Sequence, residues 1–191
     1  MERITDKYSK ELQVFDKQRK NIRRLWNISE ATGLFLHRLV EISMPKKILE
    51  LGTSNGYSTF WFSVSCAKYG GTIDTLEVDE KRYKMAQENL KNRKNITLIN
   101  GLIEEIIPKL SGDYDMVFID ANKSDYIKYI KLLLEHQKLN DICMVVADNI
   151  LSHQDSVKEY VDFVTTDKRF NTDIEEIGDG MALSVYEKEL W

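Results

Sequence analysis

Two apolar runs in this chain end in acids. The first is Met116-Val117-Phe118-Ile119-Asp120, and Lys123 follows three residues after its aspartate. The second is Met144-Val145-Val146-Ala147-Asp148, followed at once by Asn149. Either acid alone would read as a helix cap. At the carboxyl ends of two buried strands, however, Asp120, Asp148 and Asn149 offer three oxygen ligands, the donor type a hard divalent cation such as magnesium takes. That edge of an open α/β sheet is where ligands bind. Lys123 stands beside them as the candidate general base. A cation there would favour the deprotonated form of a bound hydroxyl. It would also keep positions open for two adjacent substrate oxygens, as in a vicinal diol.

A second constellation lies upstream. The run Lys47-Ile48-Leu49-Glu50-Leu51 leads into Gly52-Thr53-Ser54-Asn55-Gly56, and a helix pattern begins at Tyr57-Ser58. A glycine-bearing turn between strand and helix lets a ligand approach backbone N–H groups and the positive helix end. The spacing G-x-x-x-G lacks the middle glycine of the dinucleotide fingerprint, which counts against NAD or FAD. Glu50 would repel a pyrophosphate but suits a charged amino group, such as the one on the methionine end of S-adenosylmethionine. The next strand ends Thr75-Leu76-Glu77-Val78-Asp79. An acid at that tip can accept from both ribose hydroxyls. Glu77 is the choice for this role, with Val78 beside it, because Asp79 is better placed to cap the following helix.

The elements that must hold these residues follow from periodicity. The first quarter reads as helix, from Ile4, Tyr8, Leu12, Phe15, Ile22 and Leu25, and a second helix from Ser29 to Ser43 ends at Pro45. Strands are expected at 47–51, 72–77, 96–99, 114–120, 142–148, about 170–177 and 181–187. Helices are expected at 56–68, 80–92, 102–110, 123–137 and 153–166. This alternation predicts an α/β, Rossmann-like doubly wound sheet of seven strands, mostly parallel. Gly178-Asp179-Gly180 between the last two strands predicts a C-terminal antiparallel hairpin. No linker or repeat interrupts residues 1–191, so a single domain is expected, with a helical cap over 1–44 and an α/β core over 45–191.

Composition is that of an ordinary soluble chain: 191 residues, 42% apolar, 30% charged, net charge −4. No run is long enough to cross a membrane. The first residues lack a secretory pattern, and Cys66 and Cys143 sit in apolar stretches as reduced thiols. These features point to the cytoplasm. Residues 1–25 are locally basic, with Arg3, Lys7, Lys10, Lys17, Arg19, Lys20, Arg23 and Arg24. Such an arm is either a solvated helix face or a surface for phosphates or nucleic acid.

Taken in order, Glu50-Leu51-Gly52-Thr53-Ser54-Asn55-Gly56-Tyr57-Ser58, Thr75 to Asp79, Tyr114 to Lys123, Ala147-Asp148-Asn149 and Ile177-Gly178-Asp179-Gly180 resemble the motifs of the cation-dependent O-methyltransferases. These class I S-adenosylmethionine-dependent enzymes include catechol O-methyltransferase and the caffeoyl-coenzyme A O-methyltransferases. The resemblance covers about residues 28 to 187. It implies S-adenosylmethionine at the glycine turn between Gly52 and Gly56, with Ser58 on the methionine carboxylate and Glu77 on the ribose. Ile28 would close over the cofactor, which Val78 and Asp120 would also touch. It implies the metal on Asp120, Asp148 and Asn149, Lys123 as base, a small hydroxylated acceptor, and a homodimer by analogy. The chain departs from catechol O-methyltransferase at Ala121 and Asn122, where that enzyme has a histidine and a tryptophan. It departs again at Ile103 and Glu104 in the adenine turn, and in the short stretch after Asn149. Two other readings stay open. One is methylation of a hydroxylated uridine in transfer RNA, drawn from the basic arm. The other is a non-catalytic S-adenosylmethionine-binding module.

Overall fold

The computed structural model describes residues 3–22 and 25–188. Three helices come first: α1 (Ile4–Lys7), α2 (Ser9–Asn21) and α3 (Glu30–Ser43). Strands and helices then alternate through β1 (Lys47–Leu51), α4 (Tyr57–Cys66), β2 (Thr72–Glu77), α5 (Glu80–Leu90), β3 (Ile96–Asn100), α6 (Ile103–Ile106), β4 (Tyr114–Ile119), α7 (Tyr126–Glu135), β5 (Leu139–Asp148) and α8 (Gln154–Thr166). The chain closes with β6 (Phe170–Glu175) and β7 (Met181–Glu187).

Among the described residues the seven strands form one sheet in the order β3-β2-β1-β4-β5-β7-β6. The first five are parallel neighbours, and β7 runs antiparallel to both β5 and β6. The expected architecture is therefore present. Alternation along the strands splits the core into two layers. Leu49, Leu51, Val117, Ile119, Val145 and Cys143 face α7 and α8 residues such as Ile130, Leu133 and Val157. Ile48, Met116, Phe118 and Val146 face the other way, with Cys66, Phe60, Trp61, Leu36, Val40 and Phe15. Strand order reverses between β1 and β4, and their carboxyl ends make the switch-point crevice where doubly wound sheets bind ligands.

Several boundaries moved, each for a local reason. The expected first helix is two helices interrupted at Tyr8, and it ends at Asn21, so Leu25 lies outside any helix. The helix expected at 102–110 is α6 followed by a tighter 3-10 turn over Ile107–Lys109, because Pro108 supplies no N–H to continue the α ladder. A similar turn, Lys123–Asp125, precedes α7. Strand β5 starts at Leu139 rather than 142, since Leu139 pairs with Tyr114 across an irregularity and Asn140 donates to Asp115 at 2.6 Å. Ser29 caps α3 as expected, its Oγ accepting from the Thr32 N–H at 3.0 Å.

Candidate functional site

The register of β4 and β5 sets Ile119 opposite Ala147, so Asp120 and Asp148 emerge side by side at the carboxyl edge. Asp148 is only 4% exposed, and its Oδ1 has no hydrogen-bond partner. Burial, then the Asp120 charge, pushes the Asp148 carboxyl up to about 7. A deeply buried acid beside a second acid, with one oxygen unpaired, is costly unless a positive charge joins it. Asn149 follows in the left-handed region at φ 65°. Its Nδ2 donates to Asp179 Oδ2 at 3.3 Å. Two carboxylates and an amide oxygen are thus available for a hard cation. Among the described residues no three His, Cys, Asp or Glu side chains form a metal-holding group.

Lys123 meets the same edge. Its Nζ donates to Asp120 Oδ1 at 2.8 Å and to the Ala121 carbonyl at 3.1 Å. The 3-10 turn that replaces the expected helical start is what folds it back over Asp120. Behind it, the fully buried Tyr126 donates from its hydroxyl to the Asp148 carbonyl at 3.2 Å, bracing the end of β5.

The glycine turn lies directly across the switch point. Asp120 N–H donates to the Leu51 carbonyl at 2.9 Å, and a Cβ on Gly52 (φ 108°) would overlap the Asp120 carbonyl. Only glycine permits β1 and β4 to end so close together. Gly56, at φ 88°, caps α4 and packs on Leu90. Glu50 is fully buried and accepts from the Ser58, Thr59 and Thr75 hydroxyls. Burial pushes its carboxyl up to about 7 despite those three donors. It fastens the first turn of α4 to β1 and β2. Glu50 has no exposed surface, and its oxygens are occupied by the three hydroxyls. The Ser58 proton is given to Glu50, so holding a ligand carboxylate would require that hydroxyl to rotate.

Glu77 is 4% exposed at the end of β2. Its oxygens accept from the Ser54 N–H at 2.7 Å and the Asp79 N–H at 2.8 Å, and Arg82 Nη2 lies 3.3 Å away. Asp79 caps α5 as expected. Val78 and Leu102, at the ends of β2 and β3, leave exposed apolar surface beside it. The segment Leu25–Ser29 is drawn over this turn. Ser54 Oγ donates to the Leu25 carbonyl at 2.6 Å, Arg19 donates to the carbonyl of the buried Ile28 at 2.8 Å, and Trp26 stacks on Arg82 at 5.4 Å. Of the basic arm, Arg23 and Arg24 lie outside the described residues. Arg19 is engaged internally, over the Tyr57 ring as well as on Ile28.

Asp179, Arg82, Thr59 and Thr75 join this edge without having stood out in the sequence. The two glycines flanking Asp179 were the available signal for the first. The hydroxyls around Glu50 carry none, because they converge only in three dimensions.

The family model described as O-methyltransferase matches residues 4–186. The chain belongs to the O-methyltransferase family. A catechol O-methyltransferase of Niastella koreensis is 36% identical over 132 residues, 65% of this chain and 58% of that protein. The chain thus spans less than two thirds of the length of the first curated relatives it matches. Caffeoyl-CoA O-methyltransferase 2 of Populus trichocarpa is 26% identical, over 83% of this chain and 75% of the relative. The SAH-bound methyltransferase PaMTH1 of Podospora anserina shares the O-methyltransferase fold. Its TM-score is 0.85 at 21% identity, covering 94% of this chain and 88% of that one. Among the described residues no helix of this family member is long and apolar enough to cross a membrane.

Proposed function

We propose that this chain transfers the methyl group of S-adenosylmethionine to one hydroxyl of a small catechol-like or vicinal-diol acceptor, with a divalent cation, magnesium in the simplest case, on Asp120, Asp148 and Asn149. One observation carries the reading: Asp148 is buried with an unpartnered oxygen, at the end of the strand next to the one that delivers Asp120. Two relatives named for catechol and caffeoyl-CoA methylation agree with it.

When bound, the cation supplies positive charge that favours a deprotonated acceptor hydroxyl and orients its neighbour. The chain's own residues do the rest. Gly52 and Gly56 leave the backbone of the turn open to the donor's methionine end. Glu77 keeps lone pairs for ribose hydroxyls, and Val78 and Leu102 offer apolar surface for the adenine. Ile28, tied down by Arg19, covers the donor and excludes water. Lys123 Nζ, held beside Asp120, would receive the acceptor's proton as the neutral amine, after giving its own proton to solvent.

The test is a methyl-transfer assay with small diols and unmodified RNA side by side, each with magnesium or chelator. The expected result is magnesium-dependent methylation of a diol. In Asp148→Ala that turnover falls ~100-fold or more, about 2.7 kcal/mol of transition-state stabilisation, while donor affinity is kept. Glu77→Ala weakens donor binding first. Full activity of Asp148→Ala in chelator overturns the cation role. Transfer to RNA alone would favour the transfer RNA reading, and donor binding with no transfer the non-catalytic one.

A further inference from the structure

We infer that Asp179 is a positioning residue, holding the Asn149 amide so that its carbonyl oxygen, and not its NH2, faces the cation shared with Asp120 and Asp148. The inference rests on the cation reading above and adds a residue to it. A side-chain amide carries one acceptor end and one donor end. Only the oxygen can serve a cation, so the NH2 needs an acceptor on the other side. Asp179 Oδ2 is that acceptor, 3.3 Å from Asn149 Nδ2.

The fold goes to some length to place it there. β7 pairs with β5 so that Met181 lies opposite Asp148, which sets the loop before β7 beside the loop after β5. Ile150 N–H then donates to the Gly180 carbonyl at 3.0 Å, and Leu151 and Ser152 N–H both donate to the Asp179 carbonyl at 3.1 Å. Gly178 and Gly180 take φ values of 59° and 88°, which an L side chain resists, and a Cβ on Gly180 would overlap Leu151. Asn149 itself takes the left-handed backbone conformation at φ 65°. The buried Oδ1 of Asp148 next to it, with no hydrogen-bond partner, is the independent sign that this edge is built for a positive charge. Partners of this kind behind a metal ligand typically contribute ~10–100-fold in metal affinity.

The experiment is titration of the donor-free protein with Mn2+, followed by calorimetry or by the loss of free-Mn2+ signal, with thermal unfolding of each variant alongside. Asp179→Ala should weaken Mn2+ binding by ~10–100-fold. Asp179→Asn keeps an oxygen that can accept the same N–H and should retain most of the affinity. In an Asn149→Gly background, Asp179→Ala should cost nothing further, because its effect passes through the missing amide. Should Asp179→Ala fail to fold, Asp179→Leu, close to aspartate in size but without an acceptor, replaces it in both backgrounds with the same expected outcomes. Unchanged affinity in Asp179→Ala overturns the inference, and so does Asp179→Asn binding far more weakly than wild type, which would make the charge rather than amide orientation responsible. A wild-type protein that binds no Mn2+ overturns the cation reading and this inference with it. Wild-type binding with an indifferent Asp179 overturns this inference alone.

Discussion

Glu50 shows how little of a residue's surroundings its place in the sequence reveals. Its place at the end of a strand, just before a glycine turn, singled it out in the sequence. Its three hydroxyl partners come from Ser58, Thr59 and Thr75, and no spacing rule joins those positions. Asp120 and Asp148 were legible because each ends an apolar run, and the parallel pairing of their strands does the rest. The buried Glu50 carboxyl has consequences for stability. Its pKa rises from 4.5 to about 7 on folding, with burial the main cause. The folded state therefore binds the extra proton between those values, and stability falls as pH rises through that window. The size of such an effect is about 3 kcal/mol. Glu50→Gln removes the ionisation, so urea unfolding in chelator should find it more stable than wild type at pH 8 but not at pH 5. Identical pH dependence in the two proteins would refute this account. Asp148, raised with the same sign, leaves a residual slope in both.

Among the elements, strands were the easier to read from sequence. β1, β2 and β7 match their expected bounds residue for residue. Helix ends were less legible. Pro108 and the 3-10 turn at Lys123 redirect the chain within expected helices, and the second of these brings Lys123 to Asp120. The contact of α3 with α4 could not be anticipated at all. It depends on Gly33, where a Cβ would overlap the indole of the fully buried Trp61. Beside it the buried His37 holds Ser65 Oγ at 2.6 Å, which leaves the helices no freedom to slide. Gly33→Ala should therefore destabilise the protein by about 1–3 kcal/mol through overpacking, despite the better helix propensity of alanine. Chemical denaturation would check this, and a stabilised variant would mean that α3 can lift away.

For the whole molecule, the switch between β1 and β4 brings Gly52, Asp120 and Asp148 to one edge of the sheet, while at the opposite edge Lys47 pairs with Asp74 at 3.3 Å and the Tyr114 hydroxyl donates to Asp74 at 2.7 Å. We propose that residues 4–43 and the α/β layers form one unit, since Phe15, Leu36 and Val40 belong to the same apolar layer as Ile48 and Phe118. The thiols supply a way to ask. Cys66 lies in that layer and Cys143 in the one across the sheet, both with no exposed surface. Burial raises both, Cys66 to about 11, which leaves almost no thiolate to react at neutral pH. Each sulfur is thus a silent clock for its own side of the sheet. A thiol reagent mapped by peptide mass should mark the two at one common rate, set by opening of the entire chain. If Cys66 were marked well ahead of Cys143, the helical side would come apart on its own and the two halves would have to be counted separately.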